Sequence, residues 1–563
     1  MRSRQRGAYS FLFLVLLVAG GMLIFALAAD GARLYAQQRV LQQHADAVAQ
    51  AAAMNIQTCG GEGASIEQVC LAAQAFATRN DLPVSVACDD IDTGLLEPAG
   101  DGLYAFTPAP FTQSNSVRVS LQQVTPRSLL LPGRVVGNAN LSAEATARRE
   151  LVGTFSSSPE TLSLGVEEAS LLNGLLTEVL GLPVGLGLLD YRQLREATAG
   201  LGDLLGELAA LGVGDATLET LLGSEVPADL LILALSRATE SASPAGSILD
   251  SLLVGGGLDL VSVEEIFEVV TPADIPEGSR LPVYDVLMSV VLNLAESLLI
   301  DLPVDISLPG LVGVSARLMT DEAPRVALGP ARQDSNGNWV TSAPGADIRI
   351  QLQAELDLNL TILGTGVRAG VLLPLNVSTG TARGDFVSAT CARGMSNVVH
   401  VGVDARTAVA EVQGAADVGV RLSLLGIPIT LAGLRLVVDL PVGAGTDLLL
   451  YPPMDLHDTE HETMRAGQRL NLSDLGSGAI RIEGTANPIY SCGLICGLVN
   501  GLLWPIVALL NVTLFDALLP LIGAVLEAAL DPLFRVLGIE LGTASITVTD
   551  VQQSQPIVVR TID

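Results

Sequence analysis

The chain has 563 residues, with 30 arginines, no lysine and 60 acidic side chains, for a net charge of -30. That balance repels nucleic-acid phosphates and anionic lipid surfaces, which excludes nucleic acid as a partner. The missing lysine excludes phosphate-loop NTPases, protein kinases and Schiff-base enzymes, and with them a nucleotide ligand.

The first predicted element is an uncharged run of 22 residues, Ala8 to Ala29. As a helix it measures about 33 Å, enough to cross a hydrocarbon core of about 30 Å. Phe11, Leu12, Phe13, Leu14, Leu16, Leu17, Leu23, Ile24 and Phe25 give it its bulk, and Arg2, Arg4 and Arg6 precede it with no acid among them. The positive-inside rule then makes residues 1–30 a cytoplasmic terminus and membrane anchor, and exports the rest. A cleaved signal peptide is the competing reading, because Ala26-Leu27-Ala28 fits a small-x-small site. The run of 22 is nevertheless longer than the usual signal core of about 7–15. Pilin-type processing after Gly7 is disfavoured, since no glutamate occurs in Ala8-Tyr9-Ser10-Phe11-Leu12.

The helix is expected to continue outward. Leu34, Gln38, Leu41, Ala45, Val48 and Ala52 recur at spacings of four and three and draw one seam, which ends near Thr58-Cys59-Gly60-Gly61. An alternating β segment follows, opened by Val117, Val119 and Leu121 and closed by Leu141 to Ala147, so residues 31–150 read as a small α+β module. The six cysteines are Cys59, Cys70, Cys88, Cys391, Cys492 and Cys496, an even number suited to disulfides in an oxidising compartment. Their grouping points to one bridge in the N-terminal cluster and one or two in the C-terminal half, with the pairing open. Zinc at Cys492 and Cys496 is disfavoured because no histidine is near.

Gly7-Ala8 before the apolar run, Ala29-Asp30-Gly31-Ala32-Arg33-Leu34-Tyr35 after it, and Leu41-Gln42-Gln43-His44-Ala45-Asp46-Ala47 resemble the N-terminal segment of the TadG-like proteins of tight-adherence (Tad/Flp) pilus assembly. The resemblance implies a bacterial inner-membrane protein with a periplasmic, non-enzymatic body that contacts other pilus-assembly or envelope proteins. The adhesion motif Asp-x-Ser-x-Ser of those relatives that carry a von Willebrand type A domain is absent, which removes metal-dependent adhesion from the expectation.

Residues 151–300 read as short Leu/Gly-rich helices. Leu171, Leu172, Leu175, Leu176, Val179 and Leu180 form one face, ended by Gly181 and Pro183. Asp203 is expected to cap a helix bearing Leu204, Leu205, Leu208 and Leu211, and Asp215 another bearing Leu218, Leu221 and Leu222. Helices this short need an apolar surface to pack on. Leu189 to Gly214 again resembles the longer TadG-like chains.

From residue 301 to 563 the period becomes two. Ile348, Ile350, Leu352, Ala354, Leu356, Leu358, Leu360 and Ile362 alternate with polar residues; Val367 to Val377 supply a second strand and Leu422, Leu424, Ile427 and Ile429 a third. One dry face implies a large antiparallel sheet. Gly384, Gly402, Gly414 and Gly419 permit bulges, and Asp334 to Trp339 is a turn that only vaguely resembles a calcium loop. The uncharged block between Glu483 and Asp516, continuing to Leu537, reads as apolar helices (493–537) packed on the dry face, with a lipid-contacting hairpin or a second span as alternatives. Ser545 to Val551 then form a closing strand. The whole is α+β.

His457-Asp458-Thr459-Glu460-His461 matches the H-x-x-E-H pattern, in which His457 and His461 would hold zinc and Glu460 would act as base. It follows Pro452-Pro453 and lacks an apolar helical face, so a solvated loop without cofactor is expected. The sequence thus points to a membrane-anchored structural subunit of a pilus assembly system. A lipid-binding envelope protein with a half-apolar tubular sheet is the alternative, ahead of a zinc hydrolase.

Overall fold

The computed structural model describes residues 5–562 except 57–64, 129–136, 158–165, 303–310, 392–396, 457–460, 468–479, nearly all of 489–542, and loop stretches of one to three residues. The uncharged run and its sequel form one helix, α1 (Gln5–Ala53), of 49 residues, about 74 Å long at about 1.5 Å per residue. It contains no proline, and its seam residues are the expected ones: Leu41, Ala45, Val48 and Ala52 are buried.

After α2 (Ile66–Arg79) come β1 (Ile91–Gly100), β2 (Leu103–Pro108), β3 (Ser116–Pro126) and β4 (Asn138–Arg148), paired antiparallel in the order β4-β3-β1-β2. Val117, Val119 and Leu121 of β3 and Ala143, Ala145 and Ala147 of β4 turn one face to α1 and share a buried core with it. β5 (Leu151–Ser157) follows at once and leaves this sheet for another.

The Leu/Gly-rich region folds into α3 (Val166–Leu180), α4 (Leu188–Glu196), α5 (Leu201–Ala210), α6 (Leu218–Leu222), α7 (Ala228–Ala238), α8 (Ala245–Ser251) and α9 (Val283–Ala295). Leu172, Leu175, Leu176 and Leu180 are buried on α3, and Gly181 takes the left-handed φ of +67° that ends it. Two caps differ from expectation. Gly200 occupies the N-cap of α5, so Asp203 falls inside its first turn; Thr217 caps α6 through Thr220 N, and Asp215 lies outside the described residues.

The later strands are β6 (Leu311–Glu322), β7 (Val326–Pro330), β8 (Asp347–Ile362), β9 (Thr365–Ser378), β10 (Arg383–Cys391), β11 (Val398–Arg406), β12 (Ala410–Leu424), β13 (Ile427–Val442), β14 (Thr446–Leu450), β15 (Glu462–Gly467), β16 (Ile480–Glu483), β17 (Thr543–Gln553), β18 (Ile557–Val559) and β19 (Thr561–Ile562). An all-antiparallel sheet runs β6-β8-β9-β12-β13-β16, with Ile300–Leu302 on its edge. Leu422 and Leu424 end one strand while Ile427 and Ile429 begin the next, so the expected third strand is a hairpin, with its register shift at Gly419. Ile348, Ile350, Leu352, Ala354 and Leu356 pack on α3 to α9 in a single core. The dry face is therefore covered over its described part by helices of residues 166–295; the block 493–537 expected there lies outside the described residues apart from two positions.

A central sheet, β15-β17-β5-β7 with Phe267–Val269 at its edge, has the helical layer on one side. On the other side lies a smaller sheet, Ser342–Pro344 with β10-β11-β14. Phe155 and Phe386 meet between these two sheets with ring centroids 5.4 Å apart. β17 is the expected closing strand, but Thr543 to Val551 are buried on both faces because it is covered on each side. Beyond it the chain returns to the first sheet: β18 pairs with β4, and β19 runs parallel to β2. The Asp334 turn is present, with Gly337 at φ +83° and Asn338 N donating to Asp334 Oδ1.

Candidate functional site

The apolar half of α1 is bare. Phe11, Leu12, Phe13, Leu14, Leu16, Leu17, Ile24 and Phe25 are all exposed, Phe25 to 75%. The side chain of Leu23 is not among those described, Arg6 lies in α1, and Arg2 and Arg4 precede the described residues. A contiguous apolar surface of this extent needs a cover, and no described residue supplies one: the span of highest hydropathy is 0% buried.

The other half of the same helix is built into the sheet. Gln38 Nε2 donates to Ser142 O at 2.6 Å and Gln42 Nε2 to Glu144 O at 2.8 Å, while Arg33 Nη2 donates to Pro126 O. At its end, Met54 O accepts from Arg149 Nη1 at 2.5 Å. These bonds advance in step along α1 and β4. With no break in the helix between the bare and the packed half, the module cannot swing freely about the bare half.

α2 is fixed beside α1 by two further devices. Ser65 caps it through Gln68 N, and Cys70 is bridged to Cys88 with Cα atoms 5.3 Å apart. Cys70 is 2% exposed, and Gln74 Nε2 donates to Val86 O alongside the bridge. This is the bridge expected within the N-terminal cluster. Cys59, Cys492 and Cys496 lie outside the described residues, and Cys391 ends β10 with its side chain undescribed.

The opposite face of the sheet carries stacked cations. The Arg118 guanidinium lies 4.2 Å from the Phe106 ring centroid and pairs with Glu144 at 2.8 Å; that of Arg148 lies 4.7 Å from the Tyr104 centroid and pairs with Glu150 at 3.2 Å. Next to them the module joins the body. Ser554 N donates to Glu150 O, Glu150 N to Ser554 Oγ, and Arg149 Nε to Ser554 O, all within 3.0 Å. Sequence reading missed Arg149 and Ser554, because nothing local announces a contact between residues 404 or 405 positions apart.

Among the described residues no three of His, Cys, Asp and Glu gather to hold a metal. His461 stands just before β15, half-buried, while His457 and Glu460 lie outside the described residues. The half-buried carboxylate of Asp285 and the buried ones of Asp385 and Asp550 are engaged. Asp285 Oδ2 accepts from Ser156 Oγ at 2.5 Å; Asp385 pairs with Arg383 at 2.8 Å and Arg406 at 3.1 Å; Asp550 accepts from Arg280 N at 2.9 Å and from Gln552 Nε2. Burial pushes the Asp550 carboxyl up to about 6 despite those bonds, and burial raises the Tyr284 hydroxyl as well.

Residues 50–147, from the end of α1 through α2 to β4, match the family described as Tad-like Flp pilus-assembly. Residues 168–291, the helical layer, match a domain family of unknown function, DUF8293. No curated protein and no solved structure matches the chain.

Proposed function

We propose, for a chain whose residues 50–147 match the Tad/Flp pilus-assembly family, that it is a TadG-like, non-catalytic subunit of the assembly apparatus, held in the bacterial inner membrane by α1 with its body in the periplasm. The observation that carries this reading is α1 itself: one helix, bare and apolar in its first half and packed into the matched module in its second. The Cys70–Cys88 bridge supports an oxidising compartment for the module, and Arg2, Arg4 and Arg6 support a cytoplasmic N-terminus. The helical cover over the described half of the long sheet argues against a tubular lipid cavity there. A reporter enzyme that is active only after export, fused after Asp563, tests the orientation: activity is expected, and an inactive but intact fusion would refute it. Deletion of the gene should abolish surface pili, and normal piliation would overturn the assembly role.

A further inference from the structure

We infer that the β3–β4 end of the module lies in the headgroup layer of the bilayer that holds α1, giving the protein a second lipid contact besides its anchor. The inference rests on the reading of α1 as a membrane span. Arg33 is four residues beyond Ala29, the last residue of the uncharged run, hence about 6 Å further along the helix axis. A headgroup layer adds about 5–8 Å on each side of the hydrocarbon. Arg33 donates to the carbonyl of Pro126, the last residue of β3, and the bonds of Gln38 to Ser142 and Gln42 to Glu144 show that the hairpin points toward the membrane end of α1. Pro126 is thereby set at headgroup depth, next to exposed Arg127, whose N donates to Gly137 O across the hairpin.

Charge favours the same end. In a chain of net charge -30, residues 31–45 contain no acid and two arginines, and residues 119–143 contain no acid and two more, while Arg118, toward the other end of β3, is already paired with Glu144. The surface that α1 brings to the bilayer is the part of the molecule that anionic phosphates attract rather than repel. Tyr35, 73% exposed on α1 two residues past Arg33, is a residue type that settles at the interface.

A photoreactive benzoylphenylalanine placed at Phe25, Arg127 or Met54 of the full chain, in vesicles of phosphatidylethanolamine and phosphatidylglycerol, tests this. Met54 is 55% exposed and 25 residues beyond Ala29, about 37 Å along the helix. Irradiation should give lipid adducts by mass spectrometry at Phe25 and Arg127 and none at Met54. Adducts at Phe25 alone, or equal adducts at Arg127 and Met54, would overturn the headgroup contact while leaving the span intact. No adduct at Phe25 would overturn the span itself.

Discussion

Asp550→Asn should stabilise the body at neutral pH and do little near pH 4. The carboxyl is 4% exposed in β17, and its folded value is raised from 3.8 to about 6, chiefly because burial penalises the anion. Between those values the folded chain holds a proton that the unfolded chain releases, so this group's contribution to stability falls as pH rises from about 4 to about 6. The full difference corresponds to about 3 kcal/mol at about 1.36 kcal/mol per pH unit. Asparagine is the neutral isostere: its Oδ1 keeps the bond from Arg280 N, and the penalty on ionisation disappears. Urea unfolding of the full chain in detergent micelles, wild type against variant, should show a gap that opens from near zero at pH 4 to as much as about 3 kcal/mol at pH 7. A gap that is constant over this range, or that closes as pH rises, refutes the assignment of a buried, reluctantly ionised carboxylate.

Replacing both Cys70 and Cys88 by serine opens a loop with a sequence separation of 18 and should cost about 3 kcal/mol in module stability; reductant should reproduce the loss in the wild type and leave the variant unchanged. Gly153→Ala would set a Cβ 2.6 Å from Phe386 Cζ, an overpacking expected to cost about 1–3 kcal/mol by the same urea titration. Leu14→Arg with Leu17→Arg should shift the chain from the membrane fraction toward the carbonate-soluble fraction, because each arginine at a span's centre costs about 2.5–3.5 kcal/mol. Full retention after both changes would show that the anchor lies elsewhere.

The parts legible in the sequence are those whose pattern is local. The uncharged run and the seam from Leu41 to Ala52 specified α1 because a 3.6-residue period needs only neighbours to be read. Ile348 to Ile362 likewise declared a strand, and Leu172 to Leu180 a helical face. Caps were harder to read: Asp203 and Asp215 are good capping types, yet Gly200 and Thr217 take the positions, because the packed Leu201 and Leu218 set where each helix begins. Leu422 and Leu424 alternate in one phase and Ile427 and Ile429 in the other, and the three-residue step between them is where the chain reverses; two short alternating stretches so close together read as one strand because only the pairing of Leu422 with Ile429 separates them. Least legible were the pairings of β17, β18 and β19 with strands from the first third of the chain, which depend on contacts across some four hundred positions. Of the candidate site, the bare apolar half of α1 and a bridge within the N-terminal cysteines were readable. The Arg149–Ser554 junction was not.

That junction has a mechanical consequence. β4 leads through Arg149 and Glu150 into β5, while β17 leads through Ser554 into β18, and β5 pairs with β17 as β4 pairs with β18. Two strands laid side by side therefore lead from the sheet that grips α1 into the centre of the body, with a bulge between Val548 and Asp550 and with the Ser554 bonds bridging the step from one sheet to the other. Tension drawn between the lipid and the far end of the molecule would fall along the axis of this pair and be shared by two covalent backbones lying side by side, so a steady pull would reach the distal sheets with little stretch along the way.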